Sequence, residues 1–139
     1  MMKIQLLHSI VDNLEMRKAE EEVRENNFSL SFAIAYRDEK KESDLFGIVF
    51  FLRLRCLPDL LIDMEFTCHF KTSEPVNDEF RNSHFPKINA PAMAFPFLRS
   101  FIATLTLNAG YEPIILPSVN FTKLRDTDKG NIIVEPEQV

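Results

Sequence analysis

Residues 94–121 read AFPFLRSFIATLTLNAGYEPIILPSVNF. The first half has helical periodicity: at about 100° per residue, Ala94, Phe95, Leu98, Phe101, Ile102 and Leu105 fall on one broad apolar stripe. The spacing predicts a helix from near Ala92, with Pro96 within or just after the first turn, where its missing N–H costs little. Asn108 and Gly110 supply the stop. Met93, Phe97 and Leu107 fall on the opposite side, among Arg99, Ser100, Thr104, Thr106 and Asn108. A helix apolar on two sides needs a layer on each. One layer is a sheet. For the second, a partner subunit is the simplest candidate, and folding of the segment Lys71–Asn89 over the helix is the alternative.

Upstream, three stretches alternate with a period of two and predict the sheet. In Phe28–Tyr36, Phe28, Leu30, Phe32, Ile34 and Tyr36 share a face. In Leu45–Cys56 the inward set is Phe46, Ile48, Phe50, Leu52, Leu54 and Cys56, with Arg53 and Arg55 facing away. In Leu61–Lys71, Ile62, Met64, Phe66, Cys68 and Phe70 alternate with Asp63, Glu65, Thr67, His69 and Lys71. The charged connection Asp38–Asp44 and the Leu57-Pro58-Asp59 break make these an antiparallel meander. In Lys3–Leu14, Ile4, Leu6, His8 and Ile10 alternate, but Leu7, Ile10, Val11 and Leu14 also suit a helix. The charged run Glu15–Asn27 reads as a helical turn or a solvated crossover. Lys71–Asn89 has no clear periodicity and carries Pro75, Phe80, Phe85 and Pro86, and loops this long are often functional.

At 139 residues the chain is expected to be one domain, 1–139, near the size where burying more surface in an oligomer helps. Sixteen basic residues against 21 acidic ones argue against binding to nucleic-acid phosphates. No secretory signal pattern and no run near the ~20 apolar residues of a bilayer span is legible, so a soluble cytoplasmic protein without membrane insertion is expected. Cys56 and Cys68 read as buried thiols. Thirteen Phe with no Trp and two Tyr supply apolar area without a polar handle, suited to a core or a groove.

Catalytic templates fail. His8, His69 and His84 are far apart in sequence, and Cys68 and His69 are adjacent and would point to opposite strand faces, so no metal site is expected. There is no phosphate loop or nucleophile elbow among three glycines. Asp63 and Glu65 on one strand face read as a solvated pair with Arg53 and Arg55 as cross-strand partners rather than as acid–base chemistry. No enzyme activity and no cofactor are expected. The residues alone support a binding or assembly protein.

The order and spacing of Phe95, Pro96, Arg99, Ile102, Gly110, Pro113, Leu116, Pro117, Val119, Asn120, Phe121 and Leu124 resemble the C-terminal half of the SecB protein-export chaperones. The resemblance implies an α+β fold with a four-stranded antiparallel sheet packed on one long helix, and favours a strand at Lys3–Leu14. It implies a homotetramer, a dimer of dimers with helices at the interface, and apolar grooves that hold unfolded preproteins for protein export without ATP. Arg99 would sit at the helix–helix contact with Phe97, Thr104 and Leu107, and Asn120 would cap the end of the last strand. Family members end in a second helix. Here 125–139, RDTDKGNIIVEPEQV, holds Gly130 and Pro136, so that helix is expected to be missing or replaced by a strand at Asn131–Glu135.

For client peptides the expected contacts are Leu60 and Leu61 beside the Leu57-Pro58 turn, Phe80 and Phe85 in the long loop, and Met93 and Phe97 at the helix start. Asp63 and Glu65 are the candidate docking residues for the export motor ATPase SecA, with Arg53 and Arg55 diluting their field. A solitary SecB-like chaperone dedicated to an antitoxin or other specific partner is the second reading. A small apolar ligand-binding protein with an enclosed pocket is the reading from another class.

Overall fold

The computed structural model describes residues 2–36, 43–126 and 131–136. The charged connection Asp38–Asp44 falls for the most part outside these residues. The meander is present as expected: β2 (Asn27–Tyr36), β3 (Leu45–Cys56) and β4 (Leu60–Thr72) pair antiparallel in sequence order. The alternation read from sequence becomes inward rows across the sheet, Leu30–Leu52–Met64, Phe32–Phe50–Phe66 and Ile34–Ile48–Cys68. Nearly all of these side chains are buried, and each large one contributes about 1.5–3 kcal/mol by leaving water.

The N-terminal segment is a strand, β1 (Ile4–Lys18), antiparallel to β4. Its register slips between Leu6 and His8 and again between Val11 and Asn13, so Leu7 and Asp12 are extra residues with no β4 partner. The inward set is thus Ile4, Leu6, Ser9, Val11, Leu14 and Met16, partly buried throughout. Two bulges explain why this stretch could be read with either period. Of Glu15–Asn27, the first four residues continue the strand, residues 19–26 form an irregular crossover, and Asn27 opens β2. Ala19 N–H donates to Asp59 C=O (2.6 Å) and Val23 N–H to Pro58 C=O (2.8 Å), which pins that crossover to the β3–β4 turn.

After β4 a single turn of helix, α1 (Asp78–Arg81), starts at Asn77, whose Oδ1 accepts from Phe80 N–H at 2.8 Å. A π-helical turn, Phe85–Asn89, leads directly into α2 (Ala90–Asn108). The long helix therefore begins two residues before the expected Ala92, with Pro91 in the opening turn, and Pro96 lies inside it. Pro96 and Ala92 are both exposed, so the Ala92 carbonyl that loses its helical donor faces water. Ala94, Phe95, Leu98 and Ile102 are buried, as the stripe predicted. Phe95 meets Phe50 edge-on, and Phe101 lies against Phe66 with ring centroids 5.9 Å apart.

The fold class is the expected antiparallel sheet on one long helix. The sheet is wider than four strands: β5 (Val119–Asp126) and β6 (Ile132–Pro136) extend it to the order β1-β4-β3-β2-β6-β5 among the described residues. Ile132 and Val134 are buried opposite Phe32 and Leu30, and Phe121 packs against Phe32 and Phe95. The β-branched run Ile132-Ile133-Val134 favours a strand, as expected for Asn131–Glu135. Asn120 is at the start of β5, accepting from Thr122 N–H, and not at a strand end.

Candidate functional site

The C-terminus of α2 fixes the segment that forms the most distinctive surface. Gly110 has φ of 96°, Gly110 N–H donates to Leu107 C=O and Tyr111 N–H to Thr106 C=O, the paired bonds of a Schellman cap. The chain then runs extended as a strap, 111–118, between Pro113 and Pro117. Ile114 and Leu116 point into the core while Ile115, 62% exposed, points out. One buried bond holds its middle: the Thr106 hydroxyl donates to Ile102 C=O (2.8 Å) and accepts from Ile114 N–H (2.9 Å).

Two depressions flank this strap. One, of about 360 Å³, lies between the strap and Phe28 and Leu54. The other, of about 720 Å³, lies between Tyr111 and the Leu57-Pro58-Asp59 turn, where Leu57 is exposed. Both are open to solvent, and Asn26 and Ile114 line both, so they form one two-lobed groove. Its floor is apolar and its far end polar. There Lys18 Nζ donates to Tyr111 OH (3.1 Å) and approaches Asp59 (3.3 Å), while Tyr111 OH donates to Asp59 (3.2 Å). Those hydrogen bonds, first with Tyr111 and then with Asp59, raise the pKa of exposed Lys18. Asn26 Oδ1 accepts from Leu57 N–H at 2.8 Å at the waist.

A second apolar surface is the outer side of α2. Met93, Phe97 and Leu107 are exposed, Phe97 by 51% and Leu107 by 57%. With Ser100 and Thr104 they repeat at steps of four, three, four and three residues, the seam of a helix that packs along another helix. The segment Lys71–Asn89 leaves this seam open, and its aromatic rings go elsewhere: Phe80 is 3% exposed, 5.2 Å from Phe46 and stacked on Phe85. By length and composition alone Phe85–Asn108 could cross a membrane, yet one face of it is the domain core. At the sheet margin, β1 pairs with β4 only, leaving its outer edge without a strand among the described residues.

The outer sheet face carries the two candidate docking carboxylates. Asp63 lies 2.8 Å from Arg53 and 3.3 Å from Arg17, and Arg17 also reaches Glu15. The expected Arg53–Asp63 partnership is thus present, and Asp63 spends its charge locally. Glu65 stands opposite Phe51 and Asn13. Burial raises the pKa of both thiols, and a Ser9 hydrogen bond partly offsets this at Cys68, so the two free cysteines are inert structural thiols.

The six expected client contacts are not brought together. Leu60 and Phe80 are core residues, Leu61 is half-buried on the outer face, Phe85 is half-buried, and Met93 and Phe97 lie on the helix seam. Phe80 is drawn inward because it packs edge-on against Phe46, itself stacked on Phe70, and lies parallel to Phe85. Of the expected interface set, Phe97, Thr104 and Leu107 share the exposed seam, and Arg99 lies beside it, partly buried. The groove residues Asn26, Leu57, Tyr111 and Ile115 had no assigned role. The legible signal was Pro113–Pro117: a short apolar run between prolines cannot continue a helix, and alternation must expose every second residue.

The family model for the preprotein translocase subunit SecB matches residues 11–130. The protein-export protein SecB of Rhizobium etli is 33% identical over 63 residues, 40% of each chain. That of Neorickettsia sennetsu is 44% identical over 36 residues, 26% of this chain and 22% of its own. An uncharacterized protein of Methanocaldococcus jannaschii is 41% identical over 51 residues, 37% of this chain and 32% of that one. The chain thus spans less than half the length of these relatives in the matched stretches. Among solved structures, a SecB-like chaperone of Mycobacterium tuberculosis in complex with a peptide from the HigA1 antitoxin has a TM-score of 0.61 at 14% identity, covering 81% of this chain and 87% of that one. A protein of unknown function from Streptococcus agalactiae has a TM-score of 0.52 at 15% identity, covering 84% and 98%. A family match over most of the chain, on the same sheet-and-helix fold, means that this chain belongs to the SecB family.

Proposed function

We propose that this protein is an ATP-independent holdase that captures non-native polypeptide in the two-lobed groove beside the strap. The observation that carries this reading is the groove itself: two open lobes that adjoin at Asn26 and Ile114, with exposed Leu57 and Ile115 on their walls. Apolar contact is non-directional and contributes about 25 cal/mol per Å² buried, so one channel accepts many sequences. Nothing in that mechanism requires nucleotide, metal or a bond-making step, and the proposed setting is the cytoplasm. An enclosed pocket for a small ligand is disfavoured because both lobes open to solvent.

Assembly follows from the seam. Positions 97 and 107, and positions 100 and 104, are each centred on position 102. A two-fold axis on the seam side of the helix, at the level of position 102, would set Phe97 against a second copy's Leu107 and Ser100 against its Thr104, bulky against bulky and small against small. The open edge of β1 offers a further pairing site, so a dimer of dimers uses both. Joined grooves would then raise affinity for long chains through multivalency.

A role dedicated to one partner, such as an antitoxin, is the second reading. The neutralisation of Asp63 by Arg53 and Arg17 favours it over docking to SecA through an acidic face. Fluorescence anisotropy of labelled, reduced and carboxymethylated lactalbumin, titrated with the protein alongside the folded form, tests the general reading. Binding of the unfolded chain alone is expected. Absence of binding would leave the dedicated partner.

A further inference from the structure

The groove has a largely apolar lining, and of its two amides, Asn26 and Asn27, only Asn26 lines both lobes. Asn26 lines both lobes and lies on the irregular crossover between β1 and β2. Its carboxamide has two ends. The Oδ1 end is committed, accepting the Leu57 N–H at 2.8 Å, and this fixes the amide plane against the turn. The Nδ2 end carries two donors and is not used in that bond, while the residue is exposed at the junction. A donor fixed at the waist of an apolar channel is suited to a main-chain carbonyl. The strap already shows the complementary device on its other side, where an extended, apolar, proline-bracketed segment is held by one side-chain-to-main-chain bond, Ile114 N–H to the Thr106 hydroxyl.

We propose that Asn26 is the main-chain anchor of the groove, donating from Nδ2 to one carbonyl of a bound polypeptide in extended conformation. The preferred client segment then has an apolar side chain on each side of that carbonyl, one against Phe28, Leu54 and Ile115 and one against Leu57 and Tyr111. An extended chain turns successive carbonyls to opposite sides, so a single donor sets which residues face the floor. Sequence tolerance comes from the apolar lobes and register from the amide. This inference rests on the holdase reading above.

The test is Asn26→Asp compared with Asn26→Ala and the parent, using the same lactalbumin anisotropy assay in high salt, with thermal unfolding in parallel. Asn26→Asp keeps an oxygen for the Leu57 N–H and replaces the donor with an acceptor. About a tenfold loss of affinity with an unchanged unfolding midpoint is expected, the cost of an unpaired carbonyl in a desolvated site. Asn26→Ala should lose both affinity and thermal stability, since the Leu57 N–H then loses its partner. Parent-like binding by Asn26→Asp overturns the proposal, as does a loss of binding by Asn26→Asp that tracks a loss of its stability, which would make Asn26 a turn brace only. If the parent itself fails to bind, the holdase reading falls and this inference with it.

Discussion

The Thr106 hydroxyl accepts the Ile114 main-chain N–H at 2.9 Å, so the last turn of the long helix and the middle of the strap are joined by one buried hydrogen bond. Thr106→Val keeps the shape and removes the acceptor. An N–H stranded in the core costs about 1–3 kcal/mol. Urea unfolding should report that loss, and client affinity should fall with it because the groove wall loosens. Thr106→Ser, which retains the hydroxyl, should recover most of both.

Ile115 and Phe80 separate surface from core. Ile115→Ser removes an exposed side chain, so stability should stay within about 0.5 kcal/mol of the parent. Affinity for unfolded polypeptide should drop roughly tenfold if Ile115 buries against a client. Phe80→Ala should instead cost about 3–5 kcal/mol of stability, as expected for a ring taken out of a packed nest. Paired denaturation and anisotropy measurements check the contrast, and equal behaviour of the two variants would remove the groove assignment.

Phe97→Asp places a charge in the proposed helix seam, where Phe97 would meet a second copy's Leu107. The mass in solution, read by analytical ultracentrifugation, should fall to that of a smaller assembly while far-ultraviolet circular dichroism stays the same. An unchanged mass would mean that this seam does not hold subunits together.

Tyr36 gives a prediction in alkali. Burial pushes its phenol up to about 12 against an ordinary value of 10, with the nearby Arg81 guanidinium, 4.4 Å from the ring centre, acting in the other direction. The neutral phenol is the form that the fold favours. Its contribution is complete below pH 10, where both states hold the proton. It declines between pH 10 and 12, where only the unfolded chain has ionised. The ring is only about half buried, so the effect is discounted to the order of 1 kcal/mol. Denaturation midpoints across that range should fall less steeply in Tyr36→Phe.

The sheet was legible where alternation was unbroken. β2, β3 and β4 each place an apolar residue at every second position over nine or more residues, and burial follows that set. β1 was ambiguous because the bulges at Leu7 and Asp12 stretch the inward set to steps of two and three, which mimic a helix over short windows. The helix seam was also legible, since Phe97 and Leu107 cannot share a face with Leu98 and Ile102. The groove was not. Asn26, Leu57 and Ile115 are far apart in sequence and become neighbours only once the crossover and the strap dock on the same end of the sheet.

Synthesis order gives the β1–β4 pairing a further meaning. Lys3 N–H donates to the Ser73 hydroxyl and Ser73 N–H returns a bond to Lys3 C=O, joining residues 70 positions apart. On a ribosome the first strand of the domain emerges long before the strand it must zip onto. The meander of β2, β3 and β4 pairs with near neighbours and needs no such wait. During synthesis this chain therefore passes through a stage in which a fifteen-residue strand stands exposed on both edges, the condition of an unfolded client.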